Sequence, residues 1–254
     1  MIPFFRKIRK KMADDNRPLK YMRYAIGEIV LVVIGILIAL QINNWNQERN
    51  ENKLARDYLV RIKRDISQDT LNFRKIIKFN DSLRGEIKNL LVFIYDDIDD
   101  PQKVIDICST YDVALDQVFS PNDNTYNGMI SSGSLNLIRE IELREAIMQL
   151  YSDYDKKHAL FKSNKEWLDG LAVIVDTKTD LIKFSQDVYD IYIQPDMLNE
   201  SDYSFLNDPD DERFKIVVRG ISATAWNQKV SNEYYNELIE KGGQVLAQLD
   251  RALK

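Results

Sequence analysis

Carboxylates supply most of the chemistry that this sequence could perform. One histidine and one cysteine stand among 40 acidic and 35 basic residues. A lone cysteine excludes an intramolecular disulfide and a cysteine-cluster metal site. Within "KVIDICSTY", Cys108 reads as a small buried apolar side chain. His158, in "YSDYDKKHALF", has Tyr154 and Phe161 on the same helical face and is expected to be a partly buried structural residue. Asp208, Asp210, Asp211 and Glu212 could bind a cation or act as paired carboxylates, but no spaced partner or turning glycine accompanies them. Asp208-Pro209 followed by acids is also an ordinary helix start, with negative charge at the positive end of the dipole, and a helix start is expected. A calcium loop beginning at Asp123 fails because Thr125 takes its third position and Ser134 stands where the bidentate Glu belongs. A capped short helix followed by a Ser-Gly turn accounts for the same residues.

The one acid within the apolar run "AIGEIVLVVIGILIALQINNW" is Glu28, near its start. A glutamate there can lean toward the helix N-terminus and reach the headgroups. It can also meet a second helix. At about 100° per residue, Gly35 and Ala39 fall within about 20° of Glu28 around the helix, so one stripe carries the acid and two small residues that let another helix approach. An intramembrane acid serving a membrane complex is a further reading. Glu28, Gly35 and Ala39 are the expected helix–helix contact residues. There is no phosphate-binding glycine loop, G-x-S-x-G elbow or His-Glu zinc motif, so no catalytic, cofactor-binding or metal-ligating residue is assigned and no cofactor is expected.

The element that positions Glu28 is a helix from residue 24 to residue 45, which rises about 1.5 Å per residue and so matches one hydrocarbon thickness of roughly 30 Å. Tyr21, Tyr24 and Trp45 stand at its edges as interface anchors. From Ile29 to Leu40 no polar side chain and no periodicity interrupts it, which argues against a buried core helix. Leu37 and Ala39 make a poor signal-cleavage pair. Residues 1–23 hold eight basic and two acidic side chains, a net +6, leaving −11 for the rest of a chain whose total is −5. Lysine and arginine crowd the segment before the run and are interleaved with acids after it. The basic arm is therefore expected in the cytoplasm against anionic headgroups, with residues 46–254 extracytoplasmic, in the periplasm of a bacterium. Lipid is a simpler partner for this arm than nucleic acid.

"FFRKIRKKM", "YAIGEIVLVVIGILIALQINNWNQ" and "TYNGMISSGSLNLI" together resemble the domain-of-unknown-function 6090 family, single-pass membrane proteins of Bacteroidota. The resemblance runs along the whole chain. It implies an inner-membrane protein with a helical soluble domain and no assigned catalytic residues.

Beyond the run, "QERNENK" is too polar for a core but has nothing to stop a helix, so it reads as a solvated stalk. Leu59, Ile62, Ile66, Asp69, Phe73, Ile76, Asn80, Leu83, Ile87, Leu90 and Ile94 then follow an alternating three-four spacing, a heptad seam with two polar members. Asp69 and Asn80 could fix register or meet a ligand, but frayed edges of that seam are the expected place for them. Asp99 or Asp100 should cap a shorter helix starting at Pro101. A second seam is read through Ile147, Leu150, Tyr154, Phe161, Trp167, Leu168, Leu171, Val175 and Ile182. A third runs through Phe214, Val218, Ile221, Ala225, Tyr235, Leu238, Val245, Leu249 and Leu253. Glycine and proline are sparse, at nine and six, so long helices outweigh a many-turned β-fold. The expectation is all-α: a transmembrane helix continuing into a stalk and an antiparallel helical bundle. The expected role is a membrane-anchored interaction or sensory module that works through a membrane or periplasmic protein partner or a homodimer. The rival is an envelope hydrolase using the carboxylates from Asp208 to Glu212.

Overall fold

In the computed structural model the described residues are 18–115, 119–185, 188 and 199–254, and among them there is no strand. They divide into two compact units, one ending at Asp57 and the other Tyr58–Lys254. The all-α expectation holds. Of the basic arm, residues 1–17 lie outside the described residues.

The first helix, α1 (Pro18–Phe93), carries the apolar run. The run has a mean hydropathy of 2.6 over its most apolar window, and none of that window is buried. Its large side chains, from Ile26 through Ile42, stand exposed. The polar segment Gln47 to Lys53 is helical and water-facing, with only Glu51 half-buried, and Gln47 donates to Glu51 one turn on at 2.9 Å.

The second unit holds the rest of α1 with α2 (Pro101–Leu115), α3 (Asn124–Ser132), α4 (Ile141–Thr179) and α5 (Glu212–Ala252). Every member of the first heptad seam is buried except half-buried Ile76, and Ile98, in the segment after the helix, is buried as well. Burying such a stripe is what stabilises a helix of this length, since truncating one fully buried isoleucine costs about 2–5 kcal/mol. Cross-contacts set the directions. Lys157 pairs with Glu237 and Trp167 meets Trp226, so α4 and α5 run antiparallel; Lys63 pairs with Asp250 and Asn80 with Asn232, so α5 opposes α1 as well.

The apolar side chains form two clusters. One gathers Leu83 to Ile98, α2, the end of α4 and Phe214 to Ile221. The other gathers Leu59 to Phe73, α3, the start of α4 and Tyr235 to Leu249, with Phe73, Phe119, Tyr154, Phe161 and Tyr235 packed ring against ring.

Several expectations need correction. Asp69 and Asn80 are not at frayed edges: they are 1% and 0% exposed. Asp69 accepts from both the backbone and side-chain N–H groups of Asn122, and Asn80 donates to Asn232 at 2.8 Å, so each is buried with a partner. His158 is exposed rather than partly buried; its ring lies 6.0 Å from that of Phe119 at the edge of the aromatic cluster. Trp167 and Ile182 are also exposed. Ile182 fails because α4 ends at Thr179 and Asp180 turns left-handed at φ 55°, after which a short 3-10 helix turns Leu181 and Phe184 inward instead. In the third seam Val218, Ala225 and Leu253 are half-buried and the other six members are buried.

The connections are built from the expected turn chemistry. Asp100 accepts from the Gln102 N–H at 2.9 Å and caps α2 behind Pro101. Gly133, at φ 69°, closes α3, while the Asp123 side chain makes no capping bond at its start. "SPNDNTYNGMISSGSLNLI" is a docking segment: Asn122 binds Asp69, Thr125 donates to Asp65, and Tyr126 stacks on Tyr151 with ring centres 4.2 Å apart. The acidic stretch before α5 contains two 3-10 turns that bury Tyr203, Phe205 and Leu206. There Asn207 both accepts from and donates to the Ile98 backbone, at 2.8 and 2.9 Å.

Candidate functional site

Asp208 to Glu212 form the expected helix start. Asp208 accepts from the Asp210 N–H, Asp211 caps α5 by accepting from the Arg213 N–H at 2.7 Å, and Glu212 pairs with Lys215. The side-chain hydrogen bond from Arg213 holds the Asp211 carboxyl below its ordinary value. These acids therefore serve local structure.

Glu28, Gly35 and Ala39 all lie on α1, with Glu28 half-buried and the other two exposed. A methyl group added at Gly35 would meet no atom within 4 Å, so this face has room for another helix. Trp45 is exposed, and the Arg49 guanidinium sits 6.0 Å from its ring centre. Tyr21 and Tyr24 have helical backbones, but their side chains lie outside the described residues.

Within the bundle, polar side chains separate the two apolar clusters. On α5, where the sequence seam leaves a gap between Ala225 and Tyr235, Thr224, Asn227, Gln228, Ser231 and Asn232 are all buried. Asn232 accepts from Asn80 and donates to Asp81 at 2.9 Å. Both amide atoms of Gln228, the Asn227 carbonyl oxygen and the Ser231 hydroxyl find no partner among the described residues. A layer of this kind fixes helix register at a cost in stability.

The second concentration of polar atoms lines a cavity of about 300 Å³ between α2, the end of α4 and the start of α5. Helical spacing puts Cys108, Tyr111 and Asp112 on one face of α2; α4 contributes Val175 and Asp176, and α5 contributes Val217 and Ile221. Gly220 lies between those two α5 residues because a Cβ there would sit 3.0 Å from both the Tyr111 hydroxyl oxygen and a Val175 methyl. Tyr111 is buried, yet its hydroxyl has no hydrogen-bond partner among the described residues. Burial, with the Asp176 and Asp112 charges adding, pushes it up to about 12. Cys108 is buried as expected, and its Sγ lies 3.6 Å from the Leu181 carbonyl oxygen. Burial pushes the thiol up as well, so it is no nucleophile at neutral pH. Asp176 is half-buried and shifted upward by desolvation, and it makes no ion pair or hydrogen bond through its carboxylate among the described residues. Asp112 is exposed and accepts from the Ser185 hydroxyl at 3.1 Å.

Of these lining residues, the sequence singled out Cys108 as a buried thiol and Val175, Ile182 and Ile221 as seam members, but neither Tyr111 nor Asp176. Gly220, interrupting the seam within "IVVRGISA", was the one available signal of a close approach; nothing local to Tyr111 or Asp176 marked them. Among the described residues no three His, Cys, Asp or Glu side chains converge as a metal site.

One family model matches the chain, over residues 28–206, and it describes a family of unknown function, DUF6090. Comparison with curated proteins and with solved structures finds no match.

Proposed function

We propose that this chain, which belongs to the DUF6090 family of unknown function, is a membrane-anchored interaction or sensory module that works through a second membrane helix. The observation that carries this reading is the apolar part of α1. It is long and apolar enough to cross a bilayer, its most apolar window is wholly unburied, and it belongs to the same helix as the bundle's first seam. The flanking charges support an orientation with the basic arm, residues 1–23, in the cytoplasm and residues 46–254 outside it, at the inner membrane of a bacterium. Tyr21, Tyr24 and Trp45 are then the interface anchors. The partner is a second copy or another membrane protein, met on the stripe of Glu28, Gly35 and Ala39. A hydrolase using Asp208 to Glu212 is the weaker reading, since those acids are engaged in starting α5.

An association assay in bilayers tests the stripe. Glu28→Leu removes a polar contact, while Gly35→Leu and Ala39→Leu add bulk that blocks close approach. Each should weaken association roughly three- to thirty-fold, the range set by an interhelical polar contact of about 0.6 to 2 kcal/mol. Val33→Leu, on another face, should change it little. If Gly35→Leu and Ala39→Leu leave association unchanged, Glu28 is a headgroup-reaching acid and the stripe is no interface.

A further inference from the structure

The cavity between α2, α4 and α5 combines features that select one class of ligand. Its walls are mostly apolar, from Val175, Leu181, Val217 and Ile221. Among the described residues its charged members are both acids, Asp112 and Asp176, and no lysine, arginine or histidine lines it. The Tyr111 hydroxyl, on a residue 8% exposed, makes no hydrogen bond among the described residues, although a buried hydroxyl normally finds one. The Asp176 carboxylate likewise has no cation beside it among the described residues. An anion would meet two like charges and no donor cation. A purely apolar guest would leave the phenol and the carboxylate as they are.

We propose that this cavity binds a small organic cation with an apolar body, an arylalkylamine being the simplest example. The ammonium group donates to the Asp176 carboxylate and to the Tyr111 oxygen, with Asp112 adding negative potential at the exposed side, and the apolar body rests on Val175, Val217 and Ile221. A bound cation also offsets the desolvation that Asp176 otherwise bears alone. The cavity lies wholly within the unit Tyr58–Lys254, so this goes beyond the anchoring reading and does not depend on it.

The test uses the full chain in zwitterionic lipid nanodiscs, with empty nanodiscs as the blank. Calorimetry compares phenethylamine, 2-phenylethanol and 3-phenylpropanoate, which share a ring and differ in head-group charge. The amine should bind saturably and at least about ten-fold more tightly than the alcohol, the scale of a charge-assisted hydrogen bond, and the acid should not bind above the blank. Asp176→Asn should weaken the amine about ten-fold and leave the alcohol unchanged. Tyr111→Phe keeps the ring and should weaken the amine about three-fold without lowering the melting temperature, because the hydroxyl makes no bond that folding needs. Asp112→Asn, at an exposed position, serves if Asp176→Asn fails to fold, and should weaken the amine by a smaller factor. Three results overturn the proposal: no saturable binding of the amine, equal or tighter binding of the alcohol or the acid, or unchanged amine affinity in the folded aspartate variants.

Discussion

Asp69 and Asp153 are both buried carboxylates, and their surroundings push them in opposite directions. For Asp69, burial outweighs the hydrogen bonds from Asn122 and raises the pKa above the ordinary 3.8. For Asp153, burial also pushes upward, but hydrogen bonds from Lys241 at 2.7 Å and Gln149 at 3.0 Å prevail and hold it lower. The linkage signs follow. With Asp69 the folded state holds its proton longer than the unfolded state, so stability falls as pH rises from 3.8 through the folded value. With Asp153 the contribution is complete above 3.8 and is lost as pH falls through the depressed folded value. In thermal melts of the full chain, the wild type should gain on Asp69→Asn as the solution is acidified and lose ground to Asp153→Asn. Parallel curves for the two comparisons would contradict these assignments. Asn207→Ala is a simpler case. It strips both hydrogen bonds from the Ile98 backbone, so it should lower stability by about 1–2 kcal/mol, read from the same melts.

At the scale of elements, α5 faces two apolar clusters with a polar layer between them. Gln228→Leu should raise stability by about 1–3 kcal/mol, because a fully buried amide without a protein partner is replaced by an apolar group of similar size. A fall of that size in the melting free energy would mean that the amide is well satisfied. The first heptad seam was fully legible in the sequence because an alternating three-four spacing can bury only one face. Its polar members misled, since Asp69 finds Asn122 and Asn80 finds Asn232 across gaps of 53 and 152 residues, and such pairing leaves no local trace. The gap in the α5 seam was visible as a run without apolar periodicity, but not as buried polar side chains. Ile182 was misplaced because the spacing was carried past a left-handed Asp180, a conformation that an aspartate tolerates without announcing. The cavity was nearly invisible: it needs Tyr111, Asp176 and Gly220 from three helices, and only the tertiary fold brings them together.

For the whole molecule, the distinguishing property is a single helix, Pro18–Phe93, that holds both an exposed apolar run and a buried seam. Water solvates the second pattern's polar flank well and the first pattern poorly. An exposed apolar run of this length is costly in water and favourable in hydrocarbon. Membership in the DUF6090 family, over residues 28–206, includes the run from Glu28 onward and ends inside the stretch that precedes α5. Under the proposed anchoring, the direction of the chain in the membrane decides which compartment the cavity faces. Fusing reporters after Lys254 in a bacterial host measures this most directly. A reporter active only in the periplasm should be active there, and one active only in the cytoplasm should be silent. The opposite pattern, or fusion protein recovered in the soluble cytoplasmic fraction, would contradict the account.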